Sequence, residues 1–237
     1  MAIVEWQKDG TVALMIMNNG ENRQNLEWAE AMMATYDEIM ADSEIKALVL
    51  TSSDPKNFSL GVDVQWVGQK LSEQDYSSVN KWVRRNHDVF TAMLMAPVPT
   101  IAAITGHAFG NGAILAAACD FRFMRSDRGF FCLPEIDLGI QFLPSQIEWL
   151  KRAIPYHFLI RLQLTGDRVT APELERHNVI IKACSSREET IAEAVAYAKT
   201  FNKSRENMAE MKRRTYKHIL DVMANVDPPY MTAGPQG

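Results

Sequence analysis

Residues 106–112 read Gly-His-Ala-Phe-Gly-Asn-Gly and decide how this chain folds. They follow an apolar run with strand propensity, Pro99–Thr105, and they lead into a small-residue helix, Ala113–Cys119. A glycine-rich turn between a strand and a helix leaves backbone N–H groups unpaired at the helix N-terminus, where the helix dipole favours negative charge. The stretch therefore predicts an anion or oxyanion site at the start of a small-residue helix.

The composition is that of an ordinary globular protein. The 237 residues suffice for one sizeable core, and contents of 47% hydrophobic and 23% charged residues exclude global disorder. A net charge of −4 argues against nucleic acid as the main partner. The three cysteines, Cys119, Cys132 and Cys184, show no paired spacing, so we expect neither a disulfide framework nor a metal site.

No stretch of the sequence predicts a targeting signal or a membrane span. Residues Met1–Trp6 lack the basic and apolar regions of a secretory signal, and the ending Thr232–Gly237 is not a peroxisomal address of the Ser-Lys-Leu type. No apolar run approaches the roughly 18 residues that cross a bilayer. We therefore expect a cytoplasmic protein with no membrane partner.

Alternating residue patterns predict an α/β fold. Two strand-like runs, Ile3–Gln7 and Thr11–Met17, flank an Asp-Gly sequence that is a strong hairpin signal. Apolar residues at helical spacing predict two long helices, around residues 26–40 and 79–93. Further strands are expected at 47–51, 120–124 and 130–133. Strands that alternate with helices in this way indicate ββα units.

The C-terminal part is predicted to be mainly helical. Ser186 and Glu189 form a capping box that opens a helix through Phe201, and a final amphipathic stretch runs from Ser204 to about Val226. Any boundary lies near 178–185, which gives a core of residues 1–185 and a helical region of residues 186–237. In the alternative, these helices are simply the last layer of one domain.

Two further segments place the glycine-rich turn in a family context. They are Asn57–Val64, which reads Asn-Phe-Ser-Leu-Gly-Val-Asp-Val, and Leu133–Gly139, which reads Leu-Pro-Glu-Ile-Asp-Leu-Gly. In this order and spacing the three segments resemble the enoyl-CoA hydratase/isomerase, or crotonase, family. The resemblance implies a spiral of ββα units with a helical C-terminal region that assembles homotrimers or dimers of trimers. It also implies acyl-CoA thioester substrates of fatty acid metabolism, with coenzyme A arriving as part of the substrate and no separate cofactor.

The resemblance assigns the oxyanion hole. Removing a proton at C2 of an acyl-CoA puts negative charge on the thioester oxygen, and each backbone donor placed there is worth roughly 10²–10³ in rate. The two donors correspond to the N–H groups of Val62 and Asn111. Asparagine tolerates positive φ, so the Asn111 donor can survive where many members have glycine. Implied substrate contacts are Leu60, Gly61, Asp63, Val64, Gly110 and Ile114.

The acid/base residues favour one reaction within the family. Its hydratases use two glutamates to hold water, and the first of these corresponds to Ile114, which cannot polarise water. The second corresponds to Glu135, as in the one-glutamate Δ3,Δ2-enoyl-CoA isomerases, where a single carboxylate moves a proton from C2 to C4. Apolar neighbours should raise the pKa of Glu135 toward its working pH. Asp137 competes for this role if the segment is extended.

The same motifs and residues allow other interpretations. The same oxyanion hole could serve hydrolysis, decarboxylation or hydration of another acyl-CoA, and loss of the first glutamate could leave a non-catalytic acyl-CoA-binding scaffold. The resemblance also puts Gln24 and Asn25 near the coenzyme A adenine pocket. The basic run Lys212–Lys217 is either a solvated helix face or a contact for coenzyme A phosphates. His107 is expected to pack rather than to act as a base.

Overall fold

The computed structural model describes residues 2–234. Within this range the strands are β1 (Val4–Asp9), β2 (Val12–Met17), β3 (Ala47–Ser52), β4 (Asn57–Ser59), β5 (Thr100–Ile104), β6 (His107–Phe109), β7 (Phe121–Arg125), β8 (Phe131–Cys132), β9 (Arg168–Val169) and β10 (Lys182–Cys184). The helices there are α1 (Leu26–Ala41), α2 (Val64–Ser72), α3 (Tyr76–Met95), α4 (Asn111–Ala118), α5 (Glu135–Leu138), α6 (Pro144–Ala153), α7 (Tyr156–Thr165), α8 (Ala171–Arg176), α9 (Arg187–Ala198), α10 (Arg205–Thr215) and α11 (Lys217–Asn225). Residues Pro228–Tyr230 form a 3-10 helix.

Two sheets carry the fold. The first has the order β1-β2-β3-β5-β7-β10, and the second has the order β4-β6-β8-β9. The pairs β3/β4, β5/β6 and β7/β8 each give one strand to each sheet, and helices follow each pair. This arrangement is the predicted spiral of ββα units. The predicted hairpin is confirmed, because β1 pairs antiparallel with β2 around Gly10 at φ 62°.

The inner strands β3 and β5 of the first sheet are buried on both faces, as strands of parallel sheets usually are, whereas the edge strand β1 is largely exposed. Along β3, Leu48 and Leu50 enter the main core, whereas Ala47 and Val49 enter a second core that includes Ala194 of α9. Side chains alternate between the two faces of a strand, so a strand with both faces buried requires a run of apolar residues. Helix α9 thus covers the face of the sheet that is opposite the main core.

Helix α4 lies in the centre of the molecule, with all its residues after Asn111 buried. Small side chains let its neighbours approach, and two arginines occupy its C-terminal end. Arg122 donates to the Cys119 carbonyl at 2.7 Å, and Arg152 donates to the carbonyls of Ala117 and Ala118 at 2.5 and 3.0 Å. Cations at this end interact favourably with the negative pole of the helix dipole. Its N-terminus, at the glycine-rich turn, stays available.

Several element boundaries differ from the sequence-based expectation. The final amphipathic stretch is two helices rather than one: α10 ends at Thr215, and Tyr216, whose ring packs 5.1 Å from the Arg152 guanidinium, separates it from α11. Helix α9 ends at Ala198 instead of Phe201, and the strand predicted at 120–124 lies one residue later. Strands β9 and β10 and helix α2 carry too few residues for a periodic signal.

The C-terminal helices continue the body of the fold. Strand β10 pairs with β7 in the first sheet, and α9 packs on that sheet immediately beyond the predicted boundary at 185/186. Asn178, at φ 56°, is a left-handed residue shortly after the end of α8, a position where asparagine is tolerated. The last three residues of the predicted region, 235–237, lie outside the described residues.

Candidate active site

A largely apolar cavity of about 370 Å³ opens where the three motif segments meet. The β4–α2 loop, the β6–α4 turn and helix α5 form its walls, and the start of α6 closes one side. Its lining residues are Arg23, Leu60, Val62, Val64, Phe109, Gly110, Asn111, Pro134, Glu135, Leu138, Ile140, Gln141 and Gln146. The fold therefore brings together segments that lie about 70 residues apart in sequence.

Two glycines allow the first two segments to touch. A Cβ on Gly61 would lie 2.6 Å from the Phe109 carbonyl oxygen and 3.0 Å from the Asn111 nitrogen. A Cβ on Gly112 would overlap the Ser59 carbonyl. Any larger residue would separate the β4–α2 loop from the N-terminus of α4. The glycines thus place the backbone around Val62 directly against the backbone around Asn111.

The N–H groups of Val62 and Asn111 are both free to bind a ligand. Asn111 is the first residue of α4, so its N–H has no acceptor within the helix. Among residues 2–234, no loop or turn hydrogen bond between backbone groups uses either N–H as donor. Both residues line the cavity. Two unpaired amide donors that line one apolar cavity are the groups that an oxyanion hole requires.

One detail of the predicted turn is wrong. The left-handed residue is Gly110, at φ 52°, whereas Asn111 is not among the residues with positive φ in the described chain. Asn111 has helical geometry because it begins α4, so this position does not require a residue that tolerates positive φ. The donor N–H survives for this simpler reason.

Glu135 is the buried carboxyl group of the cavity. It is the first residue of α5 and only 7% exposed, and its Oε2 has no hydrogen-bond partner among the described residues. Burial raises the pKa of Glu135 to about 7, which confirms the predicted direction. Its Oε1 lies 3.3 Å from where a Cβ on Gly110 would stand. The carboxyl group therefore lies beside the turn that presents the Asn111 N–H.

Asp137 does not share this position. The segment is helical rather than extended, so residues two apart point to different sides. Asp137 is exposed and lies against Gly166 beyond α7, outside the cavity lining. Within the described chain, Glu135 is the acidic residue that lines this cavity.

The remaining predicted contacts divide into lining and supporting residues. Leu60, Val64 and Gly110 line the cavity. Gly61 supports it from behind, and Asp63 caps α2 by accepting from the Trp66 N–H at 3.0 Å. Ile114 lies in the main core, 1% exposed, and outside the lining, so its prediction as a substrate contact is not supported. It fills apolar space one helical turn beyond Asn111.

Gln24 and Asn25 hold the β4–α2 loop in place. The Gln24 N–H donates to the Gly61 carbonyl at 2.8 Å, and the Gln24 carbonyl accepts from the Asp63 N–H at 3.1 Å. Asn25 caps α1 and donates to Asp63 at 3.1 Å. These contacts give both residues a structural role behind the site. Their neighbour Arg23 is the member of this stretch that lines the cavity.

The basic run Lys212–Lys217 is not one solvated face. Lys212 is buried and donates to Asp120 at 2.7 Å and to the Val98 carbonyl at 3.1 Å. Burial lowers the pKa of Lys212. The next two arginines are exposed and pair with Glu210. Lys212 therefore anchors α10 to the segment that follows α4.

His107 packs, as expected, rather than facing the cavity. Its ring lies against Phe109 and Phe130, with ring centroids 5.1 and 5.7 Å away, and its Nδ1 accepts from the Phe130 N–H at 3.3 Å. Burial lowers the pKa of His107. Among residues 2–234, no three His, Cys, Asp or Glu side chains form a metal-binding group, and no helix combines the length and apolar character of a membrane span.

Sequence reasoning missed part of the lining. Ile140, Gln141 and Gln146 come from the loop after α5 and from α6, where no motif marks them, and Leu138 lies inside the third motif segment but was not predicted to line the site. Gln146 is buried, and its Oε1 accepts from the Leu143 N–H at 2.9 Å. The sequence offered one signal for them, the apolar residues Leu138 and Ile140 at the end of the Glu135 motif, which the structure shows to be exposed.

Comparison with known proteins identifies the family. A family model described as enoyl-CoA hydratase/isomerase matches residues 7–227. The chain belongs to the enoyl-CoA hydratase/isomerase family. The recognition made from the three motif segments is thereby confirmed.

Relatives within the family have different activities in their names. The chain is 29% identical over 192 residues to the peroxisomal enoyl-CoA delta isomerase 2 of Arabidopsis thaliana, covering 79% of this chain and 80% of that protein. It is 28% identical over 184 residues to a short-chain-enoyl-CoA hydratase of Clostridium acetobutylicum, covering 77% and 69%. Similarity to named relatives therefore does not distinguish an isomerase from a hydratase, and the residues of the site have to do so.

Solved structures confirm the fold. A probable enoyl-CoA hydratase from Mycobacterium tuberculosis superposes with a TM-score of 0.85 at 19% identity, covering 96% of this chain and 94% of that one. An enoyl-CoA hydratase from Bacillus halodurans gives a TM-score of 0.84 at 20% identity, covering 94% and 90%. The described architecture is therefore the crotonase fold.

Proposed function

We propose that this protein is a Δ3,Δ2-enoyl-CoA isomerase, which moves the double bond of a 3-enoyl-CoA to the 2-trans position. One observation carries the proposal. The cavity holds a single buried carboxyl group, Glu135, beside two free amide donors, while the position of the family's first hydratase glutamate is Ile114 in the core. One carboxylate in an apolar cavity suits proton transfer between two carbons of the same substrate.

The reaction follows from where the groups lie. The thioester oxygen accepts hydrogen bonds from the N–H groups of Val62 and Asn111. Ionised Glu135 takes a proton from C2, the C–H electron pair delocalises into the thioester, and the resulting dienolate is stabilised at its oxygen. Glu135 then returns the same proton to C4, and the double bond moves from C3–C4 to C2–C3. The reaction as written consumes no water and requires no metal or redox partner, and coenzyme A arrives as part of the substrate.

The pKa of Glu135, near 7, suits both halves of this transfer. A general acid/base works best when its pKa is close to the working pH, because both protonation states are then accessible. Burial is the cause of the raised pKa, and the surrounding Phe109, Pro134 and Leu138 provide the apolar walls. Hydration would need a second polar group to hold the attacking water, and Ile114 offers none.

The direct test is Glu135→Gln with trans-3-hexenoyl-CoA, measured as formation of the conjugated 2-enoyl product. We expect kcat to fall by roughly 10²–10⁴, the usual contribution of a general acid/base. Calorimetric binding of hexanoyl-CoA should change little, because glutamine keeps the side-chain shape. Asp137→Asn is the matched control, since it removes an exposed carboxylate from the same helix. Near-normal activity of Glu135→Gln would transfer the role to another group.

A second measurement separates isomerase from hydratase. The purified protein should isomerise trans-3-hexenoyl-CoA far faster than it hydrates trans-2-hexenoyl-CoA. Comparable rates for the two reactions would support hydration instead, and binding without turnover of either substrate would support a scaffold role.

We further propose a homotrimer or a dimer of trimers as the assembly. The described chain leaves an apolar groove beside α10, where Met211 is 67% exposed next to Phe121, Phe201 and Met208. Exposed apolar surface of this kind is typical of contact sites between proteins. Sedimentation velocity should give a mass of three or six chains, and a monomer at micromolar concentration would contradict this proposal.

A further inference from the structure

A second cavity, of about 230 Å³, adjoins the main cavity at the two amide donors. The residues that line both cavities are Val62, Asn111, Ile140, Gln141 and Gln146. The walls of the second cavity are largely apolar, and helix α3 forms one of them with side chains that include Val83 and Phe90. An acyl chain whose thioester binds at Val62 and Asn111 therefore has apolar space next to its reacting carbons.

The end of the described chain contributes one residue to this second cavity. We define residues 227–234 as the C-terminal strap. Tyr230 of the strap lines the second cavity but not the main one, and it is 66% exposed. Part of this residue faces the cavity while the larger part faces solvent. Tyr230 therefore lies at an outer mouth of the second cavity.

The first anchor of the strap is Asp227, which is fully buried. Its Oδ1 accepts from the Ser145 N–H at 3.0 Å, in the first turn of α6, where a helix leaves its N–H groups unpaired. The next two residues are prolines with restricted φ, and the Tyr230 N–H donates to the Asp227 carbonyl at 2.8 Å. These contacts fix Tyr230 relative to α6.

The second anchor lies on α3. Asn80 Oδ1 accepts from the Ala233 N–H at 2.6 Å, and Asn80 Nδ2 donates to the Ala233 carbonyl at 3.3 Å. Chain ends are usually poorly ordered unless contacts tie them down. Here one anchor stands three residues before Tyr230 and the other three residues after it. Both anchors attach the strap to α3 and α6, the helices beside the second cavity.

We propose that the second cavity receives the distal part of the acyl chain, and that Tyr230, held by the two anchors, blocks the outer mouth and limits the acyl length that the protein accepts. The inference deepens the proposed function and rests on it for the placement of the thioester at Val62 and Asn111. Tyr230 is a specificity-determining residue in this scheme. Asn80 and Asp227 are positioning residues, and none of the three takes part in proton transfer.

Two opposing effects give this length limit a measurable form. Each methylene that enters the apolar cavity should tighten binding about fourfold. An acyl chain that is two carbons too long has to fold back or displace the strap. Excess atoms in a filled apolar space are unfavourable, so we expect binding to weaken by roughly tenfold at that length. Affinity should therefore rise with acyl length and then fall.

The test is calorimetric binding of saturated acyl-CoA thioesters of even length, from butanoyl- to tetradecanoyl-CoA. The wild type should show the rise and the fall. Tyr230→Ala opens the mouth, so longer acyl chains pass outward and affinity should level off instead of falling. At the first length beyond the wild-type maximum, Tyr230→Ala should bind roughly tenfold more tightly than the wild type. Asn80→Ala releases the second anchor without harming α3, because alanine suits a helix, and should also remove the fall.

Two control variants isolate the ring of Tyr230. Tyr230→Phe keeps the aromatic ring and should retain the wild-type profile. Tyr156→Ala removes a tyrosine that is 63% exposed on α7 and lines neither cavity, and it should retain that profile too.

Three results would overturn the inference. They are a wild-type affinity that does not fall up to tetradecanoyl-CoA, a fall that persists in Tyr230→Ala or in Asn80→Ala, and a fall that is lost in either control variant. Turnover of trans-3-hexenoyl-CoA is measured separately. If turnover is normal and the fall is absent, only this inference fails. If the fall depends on Tyr230 as expected and turnover is absent, only the isomerase proposal fails.

Discussion

Glu135→Gln should stabilise the protein at pH 8 much more than at pH 5. In the folded chain, burial raises the pKa of Glu135 to about 7, against a value of 4.5 when the group is unperturbed. Between these two pH values the folded protein holds a proton that the unfolded chain has released. Stability therefore falls as pH rises from about 4.5 to about 7 and then levels off. Glutamine does not titrate and escapes this loss.

The size of the effect follows from the shift. A rise of the pKa from 4.5 to about 7 corresponds to roughly 3 kcal/mol at full ionisation, because a tenfold change in an equilibrium constant is worth about 1.4 kcal/mol. At pH 5 the unfolded carboxyl is already mostly ionised, which leaves roughly 2–3 kcal/mol as the difference between pH 5 and pH 8. The gain for Glu135→Gln over wild type should grow by that amount. All other titrating groups are common to the two proteins and cancel.

The assay is urea unfolding of both proteins at pH 5 and pH 8, at one fixed protein concentration because assembly couples to stability. Asp137→Asn, which alters an exposed carboxylate of the same helix, should show a much smaller pH-dependent gain. If Glu135→Gln changed the free energy of unfolding equally at both pH values, Glu135 would not carry a raised pKa. Its placement as a buried base would then be wrong. A gain at pH 8 with loss of isomerisation would show that the active site is maintained at a cost in stability.

Three further results should follow from the site. The value of kcat/KM for trans-3-hexenoyl-CoA should rise with pH, reach half of its maximum near pH 7 and level off above about pH 8, because Glu135 must be ionised to accept the C2 proton; a flat profile from pH 5 to 9 would contradict this. Asn111→Pro should keep a cooperative melt, since proline suits the first position of a helix, but lose roughly 10²–10³ in kcat with the N–H, whereas Asn111→Gly should remain active. A folded and fully active Asn111→Pro protein would exclude this turn as the oxyanion site. Gly110→Ala should cost about 1–2 kcal/mol of stability because φ is positive there, and it should slow turnover because the new Cβ would lie 3.3 Å from Glu135 Oε1; unchanged kcat would mean that this carboxyl can move aside freely.

Short sequence motifs were enough to predict the main residues of the candidate active site. Val62, Asn111 and Glu135 stand in three short motifs, and the structure brings all three to one cavity. The glycines at 61, 110 and 112 carry much of that signal, because close backbone approach and positive φ leave few alternatives at such positions. The second carboxylate, Asp137, was ambiguous in sequence. Its exclusion needed the observation that Glu135–Leu138 is a helical turn.

The burial of individual polar residues could not be predicted from the sequence. Lys212 stands in a basic run that resembles a solvated face, yet it is buried against Asp120, 92 positions earlier in the chain. His87 and Asn86 look like ordinary polar positions of an amphipathic helix. Their burial depends on the loop 140–143 and on residues near Asp227, which close over α3. No periodic pattern encodes contacts made by such distant segments.

The sequence alone determined the hairpin, the long helices α1 and α3, the strand–turn–helix around Asn111 and the identity of the chemical groups. These depend on side-chain periodicity and on turn chemistry within a few residues, which the linear order specifies directly. Only the tertiary structure decided which carboxyl group is buried, how far its pKa rises, and which polar atoms of the described residues are buried without a hydrogen-bond partner. Desolvation and hydrogen-bond satisfaction are properties of the space around an atom, and that space is built by segments brought together from the whole length of the chain.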